Sequence, residues 1–181
     1  MDFKNYLEKY IDLSSFCLVG NAPVEINKGK GKEIDQYQSI IRFNDYSLSH
    51  SKDYGSKVNI WMRAKGVYTH PNKDNYNHDL IILRALGEKN LKNREIWEKR
   101  KQTYIVLPID YEVELSKLLK SIPSTGLLLL YVLKEHQYVI ADNLYGFTFE
   151  SNRRYFKSNQ SPNKHNWKNE KIFFENTILE K

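Results

Sequence analysis

The sequence predicts an α/β protein with a single Rossmann-like domain, in which helices flank a mostly parallel central sheet. Short apolar runs of strand length alternate along the chain with segments of helical periodicity, a pattern typical of such sheets. The chain has 181 residues, of which 40% are hydrophobic. This is enough to bury the core of one domain, so we expect residues 1–181 to form a single domain.

Two of the apolar runs end at an asparagine. Phe16–Val19 stops abruptly at Gly20 and Asn21, and Ser39–Phe43 stops at Asn44. Open α/β sheets bind nucleotides outside the carboxyl ends of their strands. We therefore expect the two asparagine amides to face one crevice that binds a nucleotide.

The other elements follow from apolar periodicity and from the positions of proline and glycine. The predicted helices are Phe3–Tyr10, Lys32–Tyr37, Glu88–Arg100, Tyr111–Ile122, Leu127–Lys134 and a C-terminal helix with Trp167, Phe174 and Ile178 on one face. The predicted strands are Val58–Met62, Leu80–Leu83, Tyr104–Leu107, Tyr138–Ala141 and a last strand from Leu144 to Glu150. A polar loop, Ser151–Lys164, is the expected lid.

Two common phosphate-binding patterns are excluded. The run Gly29–Lys32 is similar to a phosphate loop, but Ile26 occupies the position of that motif's first glycine. The dinucleotide pattern fails because Ile34 stands in place of its third glycine. A metal site at His70 and His78 is not expected either, because ligands at metal spacing are lacking, and we interpret both as solvated loop histidines.

The charge of the chain indicates an anionic partner. Its formal net charge is +6 and its pI is near 9.2. A substrate phosphate, a nucleic acid or an anionic membrane face would each fit. No predicted element gathers basic residues into a stripe with regular aromatics, so we do not expect a nucleic-acid partner.

The cysteine count and the longest apolar run bear on location. Cys17 is the single cysteine and lies within an apolar run, which favours a reducing compartment. Leu127–Leu133 is too short to span a bilayer, and the N-terminus lacks the apolar core of a signal peptide. We expect a cytoplasmic protein that contacts the inner face of the membrane peripherally.

Two further stretches carry candidate chemistry. In Pro123–Gly126, a Ser or Thr N-cap opens an apolar helix, and it would point backbone amides and hydroxyls at an anion. An ordinary capped core helix would look the same. His165 lies directly before the C-terminal helix, with Glu170 five residues further on. Such a histidine is either a general base or a plain surface residue.

Together these stretches resemble the sialylmotifs of the sialyltransferases. Residues 17–21, 33–35, 41–44 and 54–57 are similar to the large sialylmotif, Pro123–Gly126 to the small one, and His165 with Glu170 to the last one. The chain is similar to glycosyltransferase family 29, and it shares features with the bacterial enzymes of family 42.

The resemblance implies a variant of the GT-A-type fold that transfers sialic acid with inversion from CMP-sialic acid to a glycan hydroxyl, with neither cofactor nor metal. It implies that His165 is the base, with Glu170 and Arg42 in supporting roles. The implied donor-binding residues are Gly20, Asn21, Asn44, Ser124, Thr125 and Gly126.

The chain also departs from the eukaryotic-type pattern. That type has a histidine near the phosphate, where this chain has Arg154 followed by Tyr155, so we expect these two to bind the phosphate. The cysteine of the small motif is absent, which favours a bacterial enzyme acting on a surface glycan such as lipooligosaccharide or capsule. A CMP-Kdo-dependent transferase and a non-catalytic CMP- or glycan-binding module remain as alternatives.

Overall fold

The computed structural model describes residues 3–64, 78–85, 97–138, 142–151, 153–156 and 165–179. In these residues a six-stranded sheet forms the centre of the molecule, in the order β5-β4-β3-β2-β1-β6, and every neighbouring pair is parallel. The strands are β1 (Phe16–Val19), β2 (Ser39–Phe43), β3 (Ile60–Arg63), β4 (Leu80–Leu83), β5 (Tyr104–Val106) and β6 (Leu144–Tyr145). The predicted α/β fold with a parallel sheet is confirmed.

The strand order creates a switch point next to β1. From β1 the chain adds β2 to β5 on one side and then returns to place β6 on the other side, where Leu18 pairs with Leu144 and Val19 with Tyr145. Connections that leave neighbouring strands in opposite directions open a crevice at their carboxyl ends. The end of β1 at Gly20 therefore lies at the expected place for a ligand.

Helices and turns flank the sheet. They are α1 (Phe3–Tyr10), α2 (Gly31–Ile34), α3 (Ser51–Tyr54), α4 (Ile109–Leu119), α5 (Thr125–Glu135) and α6 (Trp167–Phe173), with a 3₁₀ turn at Pro23–Glu25 and a π-helical turn at Phe174–Ile178. Helix α5 is the central core helix, because every residue from Leu127 to Leu133 is buried. The apolar run that is too short to span a bilayer is thus a core helix.

The sheet is buried on both faces, as parallel sheets usually are. All residues of β1, β2, β3 and β4 are buried. One face joins the apolar core with α5, and the other face carries two smaller clusters, one around Tyr54 and Tyr155 and one around Trp61 and Trp97.

Most predicted boundaries hold within two or three residues, and two of the differences have local causes. Helix α4 ends at Leu119 and not at Ile122, because Lys120 adopts a left-handed conformation (φ 53°) that stops the helix. Strand β6 is shorter than predicted, because Gly146 turns the chain at φ 70° directly after Tyr145.

The prediction that His78 is solvated is wrong. This histidine is buried, its Nε2 is 3.0 Å from the Tyr46 hydroxyl, and its ring stacks on Trp61. Some predictions lie wholly or largely outside the described residues. They are His70, residues 139–141 of the predicted strand, residues 88–96 of the predicted helix, and residues 152 and 157–164 of the expected lid.

Candidate active site

A cavity of about 150 Å³ lies at the carboxyl edge of β1, β2 and β6. An apolar cavity of about 150 Å³ holds one benzene ring, so this space takes one ring of a larger ligand. Eight of the residues predicted for the site line it: Gly20, Asn21, Asn44, Ser124, Thr125, Gly126, Arg154 and His165. The structure therefore brings together residues from five separate parts of the chain.

Two glycine backbones form the floor of this cavity. Gly20 N–H donates to Tyr145 O at 2.7 Å, and Ala22 N–H donates to Gly146 O at 2.9 Å. A Cβ atom on Gly20 would lie 2.3 Å from Gly146 O. Gly20 is therefore required by close backbone packing. Its partner Gly146 was missed from the sequence, although a glycine that directly follows an apolar strand was a usable signal.

Asn21 braces the wall of the cavity. Its Nδ2 donates to the carbonyl oxygens of Phe43 (3.0 Å) and Asp45 (3.1 Å). Its Oδ1 is buried and has no hydrogen-bond partner within the described ranges. Because two carbonyls require the NH₂ group on their side, the orientation of this amide is fixed.

Asn44 ties the end of β2 to the end of β3. It adopts a left-handed conformation with φ 50°, which asparagine tolerates better than most residues. Its Oδ1 accepts from Ala64 N at 2.9 Å, and its carbonyl oxygen accepts from Trp61 Nε1 at 2.7 Å. Both asparagines thus line one crevice, and their hydrogen bonds to the backbone shape it.

The first turn of α5 points into the cavity. Ser124 is its N-cap, and its side chain accepts from Leu127 N at 3.3 Å. A Cβ atom on Gly126 would lie 2.6 Å from the ring of Phe147, so only glycine lets this turn pack so closely behind β6. Unpaired N–H groups at a helix start attract anions. The predicted N-cap is confirmed.

His165 is held in one tautomer. Its Nδ1 lies 3.0 Å from the carbonyl oxygen of Ile122. A carbonyl can only accept, so Nδ1 carries the proton, and in the neutral ring Nε2 is the nitrogen that accepts one. The ring packs edge-on against Trp167, which also lines the cavity.

Glu170 lies behind the cavity and is completely buried. Its Oε1 accepts from Ser124 N at 2.7 Å and is 3.7 Å from His165 Nδ1. Burial raises the pKa of Glu170 to about 7, although the hydrogen bonds of Ser124 and the charge of Arg84 act in the opposite direction. This carboxyl group therefore joins the start of α5 to the histidine.

Arg84 and Glu112 were not predicted from the sequence. Arg84 follows β4 and forms a buried ion pair with Glu112 of α4, in which Nε lies 3.2 Å from Oε2 and Nη2 contacts Oε1. Its Nη1 donates to Pro123 O at 3.0 Å, directly before the N-cap of α5. The sequence signal that could have indicated a role for Arg84 is its position, because it is a charged residue directly after an apolar strand.

Arg154 and Tyr155 have different environments. Arg154 lines the cavity and is partly buried, with its Nη1 3.6 Å from Asp45 Oδ2. The phosphate role of Tyr155 needs correction, because its ring is buried and stacked on Tyr54 at 3.9 Å, and its hydroxyl is hydrogen-bonded to the backbone of Ser47. It does not belong to the described cavity lining.

The supporting residue Arg42 belongs to the frame behind the site. It is fully buried, and its guanidinium donates to Tyr54 O (2.6 Å) and Lys57 O (3.0 Å). The carboxylate of Asp35 accepts from Ser56 N and Lys57 N on the same segment. Much of the motif from 33 to 57 therefore fixes the backbone around the site.

The described part of the chain contains neither a metal-binding cluster nor a helix that could span a membrane. Within those ranges, His, Cys, Asp and Glu side chains form no group of three or more that could hold a metal ion. No described helix is both long and apolar enough to cross a bilayer.

The fold and the site define a Rossmann-like α/β protein with a ligand cavity at the switch point of its sheet. The sequence profile of glycosyltransferase family 29 (sialyltransferase) matches residues 12–86. This part of the chain is thus similar to the sialyltransferases of family 29, which confirms the resemblance seen in the motifs between residues 17 and 57.

Two solved structures are similar to this chain in fold. They are a mammalian sialyltransferase and a mammalian sialyltransferase in complex with Gal-beta-1-3GalNAc-ortho-nitrophenol, each with a TM-score of 0.65 and 16% sequence identity. The matches cover 89% and 88% of this chain, respectively, but it spans only 66% and 65% of theirs. No curated protein sequence matches the chain.

Proposed function

We propose that the protein is an inverting glycosyltransferase that transfers sialic acid from CMP-sialic acid to a hydroxyl group of a glycan. The observation that carries this proposal is the convergence of His165, the capped start of α5 and the two asparagines on one cavity. The relationship to family 29 supports the choice of donor.

The chemistry needs a base and a means to stabilise the leaving group. The Nε2 of His165 takes the proton of the acceptor hydroxyl, whose oxygen then bonds to the anomeric carbon as the bond to CMP breaks. Attack from the face opposite CMP inverts the anomeric configuration. A positioned base contributes roughly 10² to 10⁴ in rate. The fixed Nδ1–H tautomer supports this role, because it presents Nε2 as the acceptor.

The departing CMP carries a phosphate charge. Arg154 lines the cavity, and its ion pair with Asp45 orients the guanidinium at the rim. A guanidinium can donate two hydrogen bonds to two phosphate oxygens at once, and the first turn of α5 offers backbone N–H groups as well. We expect transfer without a metal or other cofactor on this basis.

The size of the cavity limits how the donor binds. Because about 150 Å³ accommodates one ring, we expect the cavity to take one ring of the donor while the remainder lies along its rim. Asn21 lines this cavity, and its side-chain NH₂ donates to the carbonyl oxygens of Phe43 and Asp45, so it fixes the shape of the wall against which that ring packs.

Transfer and binding assays test the proposal. The purified protein is incubated with CMP-sialic acid and a galactose-terminated acceptor, and calorimetry measures the binding of CMP with UDP as the control. Transfer, or hydrolysis of the donor, together with CMP-selective binding is expected. Transfer from CMP-Kdo alone would favour the Kdo alternative, and CMP binding without transfer or hydrolysis would favour a non-catalytic module.

The finer assignments concern the acceptor and the place of action. The proposed acceptor is a bacterial surface glycan, such as lipooligosaccharide or capsule, modified in the cytoplasm. The single cysteine of the chain, Cys17, supports a reducing compartment, because it has no second cysteine with which to form an intramolecular disulfide. A glycan array comparing such acceptors with mammalian-type glycans tests this assignment.

A peripheral contact with an anionic membrane face is part of the same proposal. Three large apolar side chains near the end of α4 and on α6 are exposed: Leu118 (57%), Ile122 (55%) and Ile172 (47%). Exposed lysines stand beside them, namely Lys117, Lys120 and Lys168. Co-sedimentation with anionic vesicles, with neutral vesicles as the control, is the test, and equal recovery with both would contradict an electrostatic contact.

A further inference from the structure

A buried ion pair lies under the turn that opens α5. The side chain of Arg84 is 7% exposed and that of Glu112 is 1% exposed. Burying such a pair costs free energy that its mutual attraction does not always recover, so the pair by itself is weak evidence for a role in stability. The other contacts of the Arg84 guanidinium therefore indicate what the pair does.

The third nitrogen of the guanidinium reaches the turn itself. Arg84 Nη1 donates to the carbonyl oxygen of Pro123 at 3.0 Å and lies 3.5 Å from Thr125 Oγ1. On the far side, the N–H of Ser124 donates to Glu170 Oε1 at 2.7 Å. The Pro123 carbonyl and the Ser124 N–H belong to one peptide unit, and in a trans peptide they point in opposite directions. A buried cation and a buried carboxyl group thus hold its two sides.

His165 contacts the neighbouring peptide unit, Ile122–Pro123. The carbonyl oxygen of Ile122, one residue earlier, contacts His165 Nδ1 at 3.0 Å. Consecutive backbone groups therefore contact His165, Arg84 and Glu170 in turn. A rotation of the Pro123–Ser124 peptide would move both the N-cap of α5 and the carbonyl that fixes the tautomer of His165.

We propose that Arg84 and Glu170 are positioning residues that clamp the Pro123–Ser124 peptide, and that this clamp aligns the start of α5 and the His165 ring with the bound donor. The proposal rests on the function proposed above. Glu112 holds the guanidinium from the side opposite the turn. A displacement of about 1 Å in a catalytic group can cost about 10² in rate, which is the scale on which such a clamp matters.

The charge of Arg84 also affects the ionisation of Glu170. The groups that face Glu170 are His165 before α6, the Ser124 backbone on α5, and Arg84 at the end of β4, with Glu112 of α4 beyond the guanidinium. Arg84 favours the ionised form of Glu170. If activity requires ionised Glu170, the acidic limb of the pH–rate profile follows the ionisation of this group. Removing the positive charge of Arg84 should therefore shift that limb to higher pH, and removing the negative charge of Glu112 should shift it to lower pH.

The variants Arg84→Met, Arg84→Lys and Glu112→Gln test this, with Arg100→Met as the matched control at an exposed arginine. We expect kcat to fall about 10²-fold in Arg84→Met and about tenfold in Arg84→Lys, because lysine keeps the charge but cannot form the fork. The acidic limb should move up in Arg84→Met, stay in place in Arg84→Lys and move down in Glu112→Gln. Unchanged kcat and an unchanged acidic limb in folded Arg84→Met would overturn the proposal.

A second readout does not depend on activity. Hydrogen exchange of the Ser124 amide reports the clamp directly, because Glu170 accepts from that N–H. We expect exchange at least tenfold faster in Arg84→Met, or in Arg84→Lys if the first variant does not fold, and no change in Arg100→Met. If the wild-type protein neither transfers sialic acid nor binds CMP, but the Arg84 variants still exchange faster than the wild type, the proposed function is refuted and the clamp is retained. Equal exchange rates in the wild type and the Arg84 variants would refute the clamp.

Discussion

The Nδ1 of His165 lies 3.0 Å from the carbonyl oxygen of Ile122, and this contact fixes which ring nitrogen can accept a proton. The carbonyl has no proton to give, so the neutral ring carries its proton on Nδ1. The other nitrogen is then the acceptor, on a ring that lines the cavity. The tautomer needed by a general base is thus set by the backbone before α5, and the carboxyl group of Glu170, 3.7 Å from Nδ1, favours the same tautomer.

His165→Ala should lose transfer and keep nucleotide binding. The loss should be about 10² to 10⁴ in kcat, because a base acts on the acceptor proton and not on CMP. Steady-state kinetics and CMP calorimetry measure the two effects separately. His136→Ala is the control, since that histidine lies at the opposite end of α5. A wild-type rate in His165→Ala would show that the residue only packs against Trp167.

Arg154→Ala should weaken CMP binding and slow transfer. Loss of one charge-stabilising donor at a reacting centre costs roughly 10² to 10³ in rate. Arg153→Ala is the neighbouring control and should cost less, although Arg153 also lines the cavity. Transfer should survive excess EDTA, because the proposed phosphate contacts all come from the protein. Unchanged kinetics in Arg154→Ala together with sensitivity to EDTA would show that a metal ion, and not Arg154, stabilises the phosphate.

Glu170 should make folding stability depend on pH. Its pKa is raised by burial to about 7 from the usual 4.5, so its contribution is fully present below about pH 4.5 and is lost as the pH rises through 7. The loss is on the order of 3 kcal/mol, taking about 1.4 kcal/mol for each pKa unit. Urea unfolding from pH 4.5 to pH 8 measures it. Glu170→Gln should remove most of this dependence, and parallel curves for both proteins would contradict the prediction.

Gly20→Ala should destabilise the fold by steric conflict alone. The new Cβ would lie 2.3 Å from Gly146 O, which is backbone and cannot move aside as a flexible side chain could. The cost should reach at least the roughly 1 to 3 kcal/mol typical of overpacking. Gly29→Ala is a useful comparison, because Gly29 has φ 67° and open space around it, so that variant reports conformational strain without a clash. Equal melting temperatures for Gly20→Ala and wild type would show that the β1–β6 junction can open.

The parts of the fold that the sequence predicted are those set by local signals. Strand β2 was predicted at its observed bounds because a short run rich in apolar residues (Ile40, Ile41 and Phe43) ends at an asparagine. Helix α5 was predicted because Ser124 caps a continuous apolar run. The same holds for the cavity residues at the ends of β1, β2 and α5, since a parallel sheet brings its carboxyl ends to one edge.

The missed features depend on contacts between distant residues. Tyr155 looks like a loop phenol, but Tyr54 stacks on it and Ser47, 108 positions away, binds its hydroxyl. Arg84 and Glu112 are 28 positions apart, and neither position has a local signature of an ion pair. Such pairings follow from how helices dock on the sheet, which apolar periodicity does not specify.

The short pairing of β6 with β1 has a consequence for how the protein folds. Asn143 and Phe16, which join at this seam, are 127 positions apart, whereas neighbouring strands β1 and β2 are close in the chain. Closing so long a loop costs more entropy than closing a short one, and β6 offers two residues in return. The sheet from β1 to β5 can therefore assemble before β6 joins it, and a chain still emerging from the ribosome would have this part of the sheet but no crevice until α5 and β6 arrive.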